Sequence, residues 1–161
     1  MKHFTMAELT NSATAKAKGL DNTPTPEHID NIFEFVENLL DPLREAWAHH
    51  CKDGNLGSPA LNITSGYRGF RLNEEVGGSE TSAHCFGYAA DIVPANRELS
   101  VFKNFCRKWL RKYHIQFDQM ISEKEDAYGT PRWIHIGYKN RAGKQRKQFL
   151  SYQYGEYKPM A

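Results

Sequence analysis

Apolar side chains recur at helical spacing through the first third of the chain. Ile29, Ile32, Phe33, Val36, Leu39, Leu40, Leu43 and Trp47 predict an amphipathic helix over about 26–48. Thr25 can cap its start, and Pro26 takes the first helical position, where a missing N–H costs nothing. Pro42 should kink this helix or end its first part. Upstream, Thr5 and Glu8 stand at capping-box spacing and predict a short helix from Met6, followed by the turn-rich stretch 19–26. Beyond Gly54, Gly57 and Pro59 the pattern changes. LNITS (61–65), AADIV (89–93), FDQMIS (117–122) and RWIHIGY (132–138) read as strands, and 66–83 as loop. KQFLSYQY (147–154) is expected to pair with 132–138 across the RAGK turn. One helix interrupts the strands, at about 101–113, capped by Ser100 with Phe105, Trp109 and Leu110 facing inward. Helices first and strands afterwards predict an α+β fold, with helices packed on a mostly antiparallel central sheet. With no repeat or linker, the 161 residues read as one domain: a helical part over about 5–50 and an α+β core over about 60–155.

Composition narrows this picture. A 40% hydrophobic content supports a packed core. Apolar runs fall far short of the roughly 20 residues a membrane helix needs, so no membrane insertion is expected. The opening MKHFTMAELTNSATAK lacks an apolar signal region, so cytoplasmic synthesis without a secretory signal is expected. Three cysteines without CxxC spacing argue against a disulfide scaffold or a cysteine-built metal site. Net charge is only +2, but residues 1–100 carry 8 basic and 14 acidic side chains, and 101–161 carry 13 and 5. The basic third, including Lys139, Arg141, Lys144, Arg146 and Lys147, could meet cell wall or nucleic acid. A solvated basic face explains it as well, and nucleic-acid binding is not expected.

Three polar residues stand where an apolar strand does not place them without reason. His84 lies in SAHCFGYAADI, Asp91 within its strand, and His135 in the centre of WIHIG. A buried, unpaired polar group costs about 1–3 kcal/mol. Two imidazoles and a carboxylate form a ligand set for zinc, whose catalytic sites commonly use three protein ligands and leave a fourth position to water. A seven-residue offset on a straight strand would put His84 and Asp91 on opposite faces, but Gly87 lets the chain turn between them. A hydrolytic zinc site also needs a carboxylate to move the water's proton. Glu123, ending FDQMISE, is the first candidate and Asp126 the second. Arg68 could bind a substrate carboxylate or stabilise an oxyanion. Ser82 could donate to substrate, and Trp133 and Tyr138 could wall the cleft.

At these residues the chain resembles a known family. SGYR (65–68), NEEVGG (73–78), SAHCFGYAADI (82–92) and WIHIG (133–137) are similar to the zinc D-alanyl-D-alanine carboxypeptidases. That family includes VanY- and VanX-like peptidases and phage endolysins, on the fold shared with hedgehog signalling domains. The opening residues resemble its small bacterial and prophage members. The resemblance implies a hedgehog/DD-peptidase-like fold and one zinc ion per chain, held by His84, Asp91 and His135. It also implies substrate contacts at Arg68 and Ser82. Many relatives carry their catalytic carboxylate three residues before the last histidine, where this chain has Arg132. The hedgehog-type arrangement, with a glutamate ending the preceding strand, corresponds to Glu123.

The expected function is therefore a zinc metallopeptidase acting on peptidoglycan stem peptides, foremost a D-Ala-D-Ala carboxypeptidase. An L-Ala-D-Glu or cross-link endopeptidase is the alternative cleavage. A non-catalytic zinc module that binds cell wall or a protein is the rival reading, motivated by Arg132. A monomer is expected, reaching the wall after release, as in phage lysis.

Overall fold

The computed structural model describes residues 1–161 and has the α+β architecture that the pattern predicts. Two short helices open the chain, α1 (Met6–Thr10) and α2 (Ala13–Lys18). The Thr5–Glu8 capping box is present at the start of α1. α2 was not expected; Ser12 caps it and Gly19, in the left-handed region, ends it.

The long apolar stripe forms α3 (Pro26–Phe35) and α4 (Asp41–Gly54), with Thr25 capping the start. The chain stays helical through Pro42 as one rod, but the first regular helix ends at Phe35 and Pro42 sits in the first turn of the second. The turn Val36–Leu40 widens into a π-helix, in which the Asp41 N–H reaches back to the Val36 carbonyl. The extra residue in that turn absorbs the crowding a proline ring imposes on the preceding turn. The rod therefore runs on to Gly54.

Six strands form one sheet in the order β1-β2-β4-β3-β5-β6: β1 (Leu61–Ser65), β2 (Ala89–Pro94), β3 (Gln119–Glu123), β4 (Trp133–Gly137), β5 (Gln148–Gln153) and β6 (Glu156–Pro159). All pairs are antiparallel except β3 with β5. This corrects the expected pairing, since 147–154 lies beside β3 rather than β4. A parallel neighbour needs a crossover rather than a tight hairpin, and the segment through β4 and residues 138–147 supplies it.

α5 (Phe70–Glu75) lies within the stretch read as loop, and a 3₁₀ turn (Ala83–Phe86) follows from its end. α6 (Leu99–Lys112) starts two residues before the expected position. Glu98 takes the capping position without a side-chain cap bond, while the Ser100 hydroxyl pairs with Thr130.

Side-chain alternation gives the sheet two different faces. Ala90, Ile92, Met120, Ile134 and Ile136 point to one side and are buried against Phe35, Leu39, Leu43 and Trp47 of the long rod and Phe102 of α6. The residues between them point the other way and form the floor of an open cleft.

Candidate metal centre

His84 is held by the tight turn that carries it. Ser82 caps that turn by accepting the His84 N–H at 3.3 Å, the Arg68 N–H bonds the His84 carbonyl at 3.1 Å, and Gly87 ends the turn at φ +82°. A Cβ at Gly87 would lie 2.8 Å from the His28 carbonyl, so the turn demands glycine on both counts. Asp91 and His135 are direct cross-strand partners on β2 and β4. The turn at Gly87 brings His84 to the same place.

The three potential ligand atoms form a nearly equilateral triangle. His84 Nε2 lies 3.2 Å from His135 Nδ1 and 3.3 Å from Asp91 Oδ1, and His135 Nδ1 lies 3.1 Å from Asp91 Oδ1. Tetrahedral ligands about 2.0–2.1 Å from a zinc ion stand about 3.3 Å apart, so this chemistry and spacing fit the metal. His84 Nδ1 donates to the Gly66 carbonyl at 2.7 Å, which leaves Nε2 with its lone pair toward the centre. Burial lowers the His84 pKa, partly opposed by Asp91, and keeps the ring neutral as a ligand must be. Burial would raise the Asp91 carboxyl, but the two imidazoles override it and hold it below the usual carboxylate range.

The centre opens into a cleft of about 720 Å³. Glu123, Arg68, Ser82 and Trp133 all line it. Glu123 ends β3 directly opposite Trp133, on the face that carries His135. Diagonal neighbours of this kind stand about 7–8 Å apart, which leaves room for a small molecule between carboxyl and metal site. Burial raises the Glu123 pKa, partly opposed by His135 and reinforced by the Asp91 charge. Arg68 has a buried Nε without a partner, and its guanidinium borders Gly78. A Cβ on Gly78 would sit 3.0 Å from Arg68 Nη1 and 2.1 Å from the buried Asn73 Oδ1, so the NEEVGG segment must end in glycine to fold over them.

Other expected positions fall elsewhere. Tyr138 is buried on the helix side, stacked at 6.3 Å on Phe35, because it has the opposite parity to His135 along the strand. Asp126 is exposed and accepts the Tyr128 and Thr130 N–H groups of its own loop. Arg132 is exposed outside the cleft. Tyr152 and Tyr157, which no motif marked, line the cleft from β5 and β6.

Residues 2–137 match the model of a protein family described as Peptidase M15. The chain belongs to the M15 peptidase family. Membership makes it a metallopeptidase in class, and the His84–Asp91–His135 group is where an M15 peptidase of this sequence could bind its metal. No curated protein matches the chain. The M15 match ends at Gly137, so β5 and β6, with their two cleft tyrosines, lie beyond it. No helix is long and apolar enough to cross a membrane.

Proposed function

We propose that the protein is a zinc-dependent peptidase of peptidoglycan stem peptides, foremost a D-Ala-D-Ala carboxypeptidase. The observation that carries this reading is a buried carboxyl, Glu123, on the same sheet face as the three converging ligand groups. A bound zinc ion would supply Lewis-acid polarisation of the scissile carbonyl and acidify water. Glu123 accepts a proton from the attacking water and returns it to the leaving amine; its raised pKa suits it to both steps. Arg68 supplies a forked donor for the peptide's terminal carboxylate. Ser82 lines the same cleft, and the Trp133 ring gives the substrate an apolar wall. The substrate lies outside the cytoplasm, so the protein acts after release to the cell wall.

Cleavage inside the stem peptide is the second reading, favoured by the length of the cleft. Gln119 and Glu123 both line it, four residues apart on β3, which spans about 13 Å. That exceeds a terminal dipeptide.

Metal analysis beside mass spectrometry of digested muropeptides tests both. One zinc per chain, with loss of a terminal D-Ala that disappears in Glu123→Gln, supports the carboxypeptidase. A larger fragment lost selects the endopeptidase. Full zinc occupancy without cleavage refutes the enzyme.

A further inference from the structure

We infer that Arg146 is a specificity residue, whose guanidinium reads a carboxylate that the substrate peptide carries on the N-terminal side of the scissile bond. This rests on the cleft being the peptide site of the proposed peptidase. Arg146 lines that cleft together with Gln119 and Asn140, and it lies beyond Gly137, where the M15 match ends.

The guanidinium is fixed before any ligand arrives. Nε donates to Asp118 Oδ1 at 2.7 Å and Nη2 to Asp118 Oδ2 at 2.8 Å, and the Arg146 backbone N–H adds a third bond to Oδ1 at 3.1 Å. The Asp118 side chain is 2% exposed and forms the buried anchor, whereas that of Arg146 is 41% exposed. Only one edge of the fork is used, and Nη1 has no partner in the protein. An arginine whose torsions are already held loses little entropy when it takes a second carboxylate. The surrounding segment is positive beyond the charge that Asp118 cancels. Arg141, Lys144 and Lys147 are exposed in the same loop, and residues 139–147 hold no acid. Such a field draws anions.

Position decides which part of the substrate meets Arg146. In the sheet order, Arg68 follows β1, Asp91 and His135 stand on β2 and β4, and Arg146 leads into β5. The metal site thus lies between the two arginines. With the peptide's terminal carboxylate at Arg68, its N-terminal part runs over β4 and β3 toward Arg146. Asp118 lies three positions along the β3 direction from Ile121, the cross-strand partner of His135. At about 3.3 Å per residue and about 4.8 Å between strands, that places it about 11 Å from His135. About three extended residues cover this distance. A stem peptide ending in D-Ala-D-Ala meets the requirement at its D-glutamate, whose α-carboxyl the γ-linkage leaves free.

The test compares L-Ala-γ-D-Glu-L-Lys-D-Ala-D-Ala with the same peptide carrying that α-carboxyl as a carboxamide. Calorimetry measures their binding to the metal-free protein, where neither is cut, and mass spectrometry their turnover by the zinc-loaded protein. The carboxylate peptide is expected to bind about 10-fold more tightly and to show a kcat/KM about 10-fold higher. Arg146→Gln should bring both ratios close to one. Arg146→Lys should keep part of each, because it retains the charge and loses the fork. Each ratio is taken within one variant, so any stability lost by releasing Asp118 cancels. Lys147→Gln, which removes a cation of the same loop outside the cleft, should keep the parental ratios.

Equal handling of the two peptides, a preference undiminished in Arg146→Gln, or an equal loss in Lys147→Gln would each overturn the inference, with cleavage and the peptidase reading left intact. A binding preference that depends on Arg146 without any cleavage would support the carboxylate site and overturn the peptidase instead. Binding of neither peptide would overturn both.

Discussion

The Glu123 carboxyl sits where an ionised group is disfavoured. It is 9% exposed, with the Asp91 charge nearby, and burial raises its pKa. A carboxyl whose folded pKa lies above its unfolded value destabilises the fold once it must ionise. The native state then holds the proton longer than the unfolded chain, so stability falls as pH rises through that interval. Glu123→Gln removes the ionisation and keeps the shape. In metal-free protein the variant should unfold at a higher temperature than the parent at pH 7, and the gap should close in acid below the ordinary glutamate range. Differential scanning calorimetry across that range measures both. A variant less stable at pH 7 would show that the carboxylate is well solvated or well paired, which is incompatible with a tuned base. A site residue that lowers stability is the trade expected where function sets the chemistry.

Gly66, just beyond β1, serves two elements at once. Its carbonyl orients His84, and its Cα packs against α1 so closely that a Cβ would lie 2.3 Å from the Leu9 carbonyl oxygen. The clash is with backbone, which cannot swing aside as a side chain can. Gly66→Ala should therefore cost about 1–3 kcal/mol in denaturant unfolding. It should also weaken zinc binding by about 10- to 100-fold, read by competition with a chelating dye, since the His84 acceptor moves. Parental zinc affinity would mean the Gly66 contact does not set the ring. The ligands themselves were legible because each lies in a short motif, strand alternation assigns the faces of Asp91 and His135, and Gly87 marks the turn that brings in His84. The same parity rule places Tyr138 on the core side, away from His135. The Gly66 carbonyl and Tyr157 were not legible. A backbone acceptor leaves no residue signature, and the place of β6 depends on a parallel β3–β5 pairing that the RAGK turn does not reveal. The π-turn before Pro42 shows the same gap: local rules mark the stress and leave open whether the helix breaks or widens.

Across the molecule the three ligands join segments that the chain keeps far apart. His84 and His135 are separated by 51 positions, and Asp91 ties the turn to the two central strands. A metal that binds this triangle binds only the folded chain, so it stabilises by mass action. At free zinc 100-fold above the dissociation constant the gain is about 2.7 kcal/mol. For a chain of this size that raises the unfolding midpoint by about 5–11 °C. Stripping with a chelator should lower the midpoint by that amount, and restoring zinc should recover it. Magnesium, which prefers an all-oxygen octahedron, should not. The gain should shrink in acid as protons compete for the imidazoles and for Asp91. His135→Ala should abolish the zinc response in the same assay while leaving a cooperative transition, because the core lies on the other face of the sheet. A midpoint indifferent to zinc and chelator alike would leave the triangle as a hydrogen-bonded cluster and remove the basis for a metallopeptidase in this chain.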